Sequence, residues 1–195
     1  LTVPLTNMGV SMPLTRPGIS RKLLHIRRVE CFGYEREDGL WDIEGHLTDI
    51  KTYSFPNQDR AGEIRAGEPL HEMWIRLTLD MNFLIHDAEA GTDWSPFNIC
   101  PQIANRYKKL IGVHIGPGWN RKLKELFGSI NGCTHLTELL GPVATTALQT
   151  MHPRRRGEKL PKPGDQERPR IIGSCHALNS GGEVVKKHWP MYYTG

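Results

Sequence analysis

The chain has 195 residues, 22.1 kDa and a net charge of +4, enough for one domain, and its 38% hydrophobic share can fill one core. No window approaches the roughly 18–20 uninterrupted apolar residues of a membrane span, and Pro4, Pro13, Arg16 and Pro17 stand where an exported chain carries an apolar signal. The expectation is a soluble cytoplasmic protein without a membrane partner. Residues 152–170, "HPRRRGEKLPKPGDQERPR", hold seven Lys or Arg against three Asp or Glu, an excess equal to the charge of the whole chain. Pro and Gly interleave these charges and no aromatic is present to stack on a base, so the segment reads as a solvated basic loop and nucleic acid is not an expected partner.

Residues 1–20 read as an irregular arm, and residues 21–195 as a single α+β domain carrying that loop. Two strand-like runs flank Glu37-Asp38-Gly39, where Asp-Gly supplies the positive-φ geometry of a hairpin. Along the second run Trp41, Ile43, Gly45 and Leu47 fall on one side and Asp42, Glu44, His46 and Thr48 on the other. After a turn-rich interval from Pro56 to Gly67 comes a second hairpin, in which Met73, Ile75, Leu77 and Leu79 alternate with Glu72, Trp74, Arg76 and Thr78. His71 continues the apolar side of that strand, and a polar group entering such a face must find a partner.

Pro101 opens a predicted helix through Ile103, Tyr107, Leu110 and Ile111 that stops at Gly112; Asn120 is placed to cap a short one that ends at Gly128. A long helix follows. Leu136, Leu139, Leu140, Val143, Ala144, Ala147, Leu148 and Met151 form one apolar face, with Thr134 as cap and a kink at Gly141-Pro142. The segment from Ile171 suggests a C-terminal strand, a turn at Asn179 to Gly182, and a closing strand or short helix. The expected fold is α+β: an antiparallel sheet of two hairpins plus a C-terminal strand, with about three helices packed on one face.

Cys133 and His135 stand at the entry of the long helix, and His135 shares a face with Glu138. The helix dipole and free backbone donors there favour a thiolate. The four cysteines are scattered and suit a reducing compartment. Cys133, His135, Cys175 and His176 would make a four-ligand metal set, but their spacing is not that of paired ligands, so neither a metal nor another cofactor is expected. Glu44, Asp49, Asp87, Glu89 and Asp93 lie on or just past strands; Asp87 follows Phe83 and Ile85 and is expected to be partly desolvated with a raised pKa. Tyr34 and Lys51 are placed to project from one sheet end, where a phenol or an amine can move a proton or hold an anion. No nucleotide-binding glycine loop, serine-hydrolase elbow or paired metalloprotease histidines occur.

Two resemblances rest on longer stretches. "RRVECFGYEREDGLWDIEGHLTDIKTYSF", "GEPLHEMWIRLTLDMNFLIHDAEAGTDWSPF", "IGPGW", "GCTHLTELLGP" and "CHAL" resemble a family of bacterial proteins classed as a domain of unknown function, over roughly residues 22 to 151 and 171 to 193. That resemblance implies enzymes of lignin-degrading bacteria that open phenylcoumaran dimers and release formaldehyde without a redox cofactor. For such a lyase Asp87, His135, Glu44, His71 and Tyr34 are the catalytic candidates. Trp41, Trp74, Arg76, Lys51 and Cys133 are the candidates for binding a small aromatic substrate. The second resemblance is to iron-sulfur cluster scaffold proteins, through Ile85, Asp87, Ala88 and Cys133, but Gly91 and Thr92 stand where a further cluster cysteine belongs. A non-catalytic scaffold for an aromatic ligand or a metal is the alternative, and an open sheet face or edge makes a homo-oligomer a further expectation.

Overall fold

The computed structural model describes residues 14, 15, 17–155, 168, 169 and 171–195; of residues 152–155 it describes the backbone alone. Most of the expected N-terminal arm and basic loop therefore lies outside the described residues. By contact density the chain divides into two units, residues 1–150 and 151–195.

The first unit is built on a four-stranded antiparallel sheet in the order β1-β2-β5-β6, from β1 (His25–Glu35), β2 (Trp41–Lys51), β5 (Pro69–Leu79) and β6 (Ile85–Trp94). Both expected hairpins form. Gly39, at φ 81°, turns the first, and the Asp38 carboxylate accepts the Leu40 N–H. In the second, the Asp80 carboxylate accepts the N–H groups of Asn82 and Leu84, an Asx turn that offsets the positive φ of Phe83. The turn-rich interval contains a small sheet that the sequence did not announce, of β3 (Phe55–Asn57) and β4 (Gly62–Ile64), because three-residue strands leave no periodic signal.

Among the described residues two α-helices complete this unit, α1 (Trp119–Phe127) and α2 (Thr134–Arg155), the latter crossing the unit boundary at its end. Residues Cys100–Leu110 form a 3-10 segment, not an α-helix; Tyr107 and Leu110 are buried as expected while Ile111 is exposed. The first cap of α1 is Gly118, at φ 87°, and not Asn120. Along α2 the expected stripe is buried except for Leu148, and helical backbone continues through Gly141-Pro142 to Arg155, so the basic segment is helical where it begins.

Alternation in β2 and β5 places Trp41, Ile43, Gly45 and Leu47 beside Ile75 and Leu77 on the face that α2 covers. Gly45 lies under the middle of the helix: a Cβ there would lie 2.6 Å from a methyl group of Val143 and 3.5 Å from one of Leu139. Gly33, paired with Ile43, is crowded in the same way by Thr150. The helix axis thus runs from the end of the sheet where β2 finishes to the end where β2 begins. Gly45→Val should lower the unfolding free energy by about 1–3 kcal/mol through overpacking, seen as a reduced urea midpoint.

On the other face of the sheet Phe32, Tyr34 and Trp74 are exposed. Glu30, His46 and Trp74 form one cross-strand row, Phe32, Glu44, Arg76 and Glu89 the next, and Tyr34, Asp42, Thr78 and Asp87 a third. His46 stacks on Trp74 with ring centroids 3.6 Å apart.

The second unit holds α3 (Glu183–His188) and two short 3-10 turns around the buried Val185. Residues 171–175 form turns, and the described residues here contain no strand. The expected C-terminal strand is thus replaced by a turn closed by Gly173, at φ 88°, whose N–H donates to the Leu178 carbonyl.

Candidate functional site

The polar side chains buried in the first unit gather mainly at the sheet end where β1 and β5 begin, β2 finishes and α2 is entered. Asp49 is 1% exposed and His71 9%, on the same face as Leu47 and Met73. Each continues the apolar alternation of its strand into the site. His135 arrives from the first turn of α2, with its side chain 22% exposed.

Asp49 is the hub. Its Oδ1 accepts from Arg27 Nε at 2.8 Å and lies 2.9 Å from His25 Nε2; its Oδ2 accepts from Arg27 Nη2 at 2.8 Å and lies 3.1 Å from His71 Nδ1. His135 Nε2 stands 3.7 Å from the same Oδ2. Arg27 also donates through Nη1 to Glu138 at 2.6 Å and so links β1, β2 and α2. The His71 and His135 rings lie 3.7 Å apart between centroids, inclined by 31°. Cys133 Sγ is 3.9 Å from His135 Nδ1 and 3.7 Å from Met73 Sδ.

The entry of α2 is held by Tyr107. Its hydroxyl donates to the Cys133 carbonyl at 2.9 Å, accepts the Cys133 N–H at 3.0 Å and meets Thr137 Oγ1 at 2.8 Å. The Cys133 carbonyl also accepts the Thr137 N–H, so Cys133 and not Thr134 is the first cap of α2. His135 is therefore fixed by backbone that a buried phenol pins down, a role its place on an apolar stripe did not reveal.

Burial alone would raise the Asp49 pKa, but hydrogen bonds from Arg27 and His25 and the positive charge of Arg27 hold it down at about 2. Burial pushes His71 down to about 4, and the neighbouring imidazole of His135 adds to the effect against the pull of Asp49. His135 is lowered too, by burial first and by Arg27 in part, against Asp49 and Glu138. At neutral pH the cluster is an ionised carboxylate facing two uncharged imidazoles, a set able to withdraw a proton or ligate a metal ion.

The structure gathers three of the candidate site residues, His71, His135 and Cys133, around Asp49. The others stand elsewhere. Tyr34, Glu44, Trp74, Arg76 and Asp87 point to the opposite face of the sheet, where Arg76 pairs with Glu44 and Glu89 and the Trp74 indole donates to Asp93. Asp87 is exposed, so the desolvation expected for it is absent: its strand position alternates outward. Trp41 is buried at the far end of β2, paired with Glu35 and Leu79. Lys51 pairs with His25 across β1 but lays its ammonium over Tyr53, 5.3 Å from the ring centroid. Of the metal set weighed above, Cys175 and His176 belong to the second unit; among the described residues Asp49, His71 and His135 form the group whose ligand atoms lie within 4.8 Å of one another. Asp49 was one carboxylate among many in the sequence, and His25 and Arg27 carried no signal beyond their charge.

Beside the cluster, an open groove of about 390 Å³ runs between α1 and α2. Leu123, Phe127, Thr137, Glu138 and Gly141 line it, and Glu138 is shared with the Arg27 link to Asp49. An antiparallel sheet with one helix laid along it and a carboxylate-imidazole centre at its end defines an α+β protein whose first unit carries a largely buried polar centre. The chain belongs to the protein-of-unknown-function family DUF2889, whose model matches residues 25–149. The matched stretch includes His25, Arg27, Asp49, His71, Cys133, His135 and Glu138. Neither the curated proteins nor the solved structures yield a significant match.

Proposed function

We propose that the chain is a lyase that opens the dihydrofuran ring of a lignin-derived phenylcoumaran and releases formaldehyde to leave a stilbene, with Asp49, His71 and His135 as its centre. The substrate phenol loses its proton and its oxygen lone pair drives cleavage of the ring C–O bond, giving a quinone methide and a second phenolate. Loss of the hydroxymethyl proton then breaks the C–C bond to that carbon. Formaldehyde leaves, the electron pair restores the aromatic ring, and protonation of the phenolates completes the stilbene. No electron acceptor is consumed.

One observation carries the reading: three proton-handling side chains from β2, β5 and α2 converge at one buried place, and one of them, His135, reaches solvent. The groove between α1 and α2 is lined by the apolar Leu123 and Phe127 of α1 and by Glu138, which lies one helical turn from His135. Its size is within the roughly 300–1,000 Å³ of small-molecule sites. Incubation of the chain with a phenylcoumaran dimer should yield formaldehyde and the stilbene in equal amounts. His135→Gln should lower that rate by about 100-fold or more, as loss of a proton-transfer centre does. Absence of formaldehyde with several such dimers would refute the lyase; an unchanged rate in His135→Gln would refute this location for it.

A further inference from the structure

We infer that Asp49, His71 and His135 bind a divalent first-row transition-metal ion, zinc being the reference case. This departs from the sequence expectation of no metal and replaces the donor set weighed there. It bears on how the centre of the proposed lyase would withdraw a hydroxyl proton, but it rests on geometry alone and not on that activity.

Spacing is the first support. Three ligands at about 2.0–2.1 Å from a tetrahedral zinc lie about 3.3 Å from one another. Asp49 Oδ2 is 3.1 Å from His71 Nδ1 and 3.7 Å from His135 Nε2, and all three ligand atoms fall within 4.8 Å. Two imidazoles and one carboxylate are a borderline donor set that suits zinc, iron, cobalt or nickel rather than magnesium or calcium.

The surroundings supply the second support. The outer partners that orient metal ligands are present: His25 and the Arg27 Nε hold Asp49 by Oδ1, the Arg27 Nη2 donates to the ligating Oδ2 at 2.8 Å, and Cys133 Sγ stands beside His135 Nδ1, the ring nitrogen turned away from Asp49. Charge agrees as well. Arg27 is shared between Asp49 and Glu138, so these three groups together carry one negative charge, which attracts a cation. Two imidazoles with centroids 3.7 Å apart cannot both be imidazolium cations without strong repulsion, whereas both can face one metal ion in their uncharged form. The 22% exposure of His135 leaves the centre open on one side, as a site with three protein ligands requires.

The full chain, stripped with a chelator and dialysed, should take up one Zn2+ or Co2+ by calorimetric titration and ignore Mg2+. The cobalt form should show d–d absorption of a low-coordinate site without a thiolate charge-transfer band. His71→Gln and His135→Gln, checked for folding by circular dichroism, should each weaken uptake at least about 100-fold, beyond the effect of losing an outer partner. His46→Gln, on the other face of the sheet, should bind as the parent does. Failure of the parent to bind either ion at one per chain overturns the inference. So does uptake unaffected by both triad substitutions, uptake lost in His46→Gln, or a thiolate band that disappears in Cys133→Ser. Because no substrate is present, failure here leaves the formaldehyde assay intact, and a metal-loaded chain that releases no formaldehyde refutes the lyase alone.

Discussion

Asp49→Ala should lower the unfolding free energy by about 2–3 kcal/mol, the upper range for losing hydrogen bonds to a charged group, because Asp49 is buried while its partner Arg27 is partly exposed. Native domains have about 5–15 kcal/mol in total, so this loss is a large share of it. The cause is what the truncation leaves behind. Arg27 loses two carboxylate contacts at 2.8 Å, and His25 and His71 lose theirs at 2.9 and 3.1 Å. Its guanidinium keeps Glu138, but that pair is half exposed, and exposed pairs contribute only about 0–1 kcal/mol. Urea denaturation followed by tryptophan fluorescence would measure the loss, and Asp49→Asn, which keeps the volume, should fall between parent and alanine. A midpoint within error of the parent in Asp49→Ala would mean that the cluster does not hold β1, β2 and β5 together.

The metal-free chain should also be destabilised by acid in two stages. His71 has its folded pKa lowered from 6.5 to about 4, so the unfolded chain takes up the proton first. Its contribution is complete above the unfolded value and disappears as pH falls from about 6.5 to about 4, an amount on the order of 3 kcal/mol. Asp49, lowered from 3.8 to about 2, follows the same sign further down: its contribution stands above about 4 and is lost toward pH 2, on the order of 2 kcal/mol. Arg27, His25, His135 and Glu138 are the charged or titratable groups facing this pair, so the two stages are coupled. Unfolding free energy measured with chelator present should therefore fall already between pH 6.5 and 4. In His71→Gln that first decline should be much reduced, while the decline below pH 4 remains. An equal slope in both proteins over the upper range would contradict the assignment to His71.

Much of this fold can be read from periodicity. Trp41, Ile43, Gly45 and Leu47 announce an inward face of β2, and Met73, Ile75, Leu77 and Leu79 that of β5. Continued by one step, the same alternation puts Asp49 and His71 inward, and two polar groups on apolar faces ask for each other. That signal exists for both residues, and it is what marks His71 as a polar group on an apolar face. Asp87 departs from the inward face that Phe83 and Ile85 suggest, because alternation from Ile85 to Ala88 is broken by a bulge that turns it outward. Long-range facts were out of reach. Nothing in a linear pattern tells that Arg27 reaches Glu138 across 111 positions, or that Tyr107 holds the entry of α2. The 3-10 segment shows the limit from the other side, since its inward residues Tyr107 and Leu110 look alike at three or four residues per turn.

The bare backbone at Gly45 sets the ride height of α2 above the sheet, and its reach extends beyond local fit. His135 is carried by the same rigid rod whose middle rests on that point, two turns along from it. A bulkier residue would act as a wedge under the rod and lift its leading end, widening the 3.7 Å gap to Asp49 while leaving every polar group in place. The smallest side chain in β2 is thereby a tuning screw for a centre it never touches.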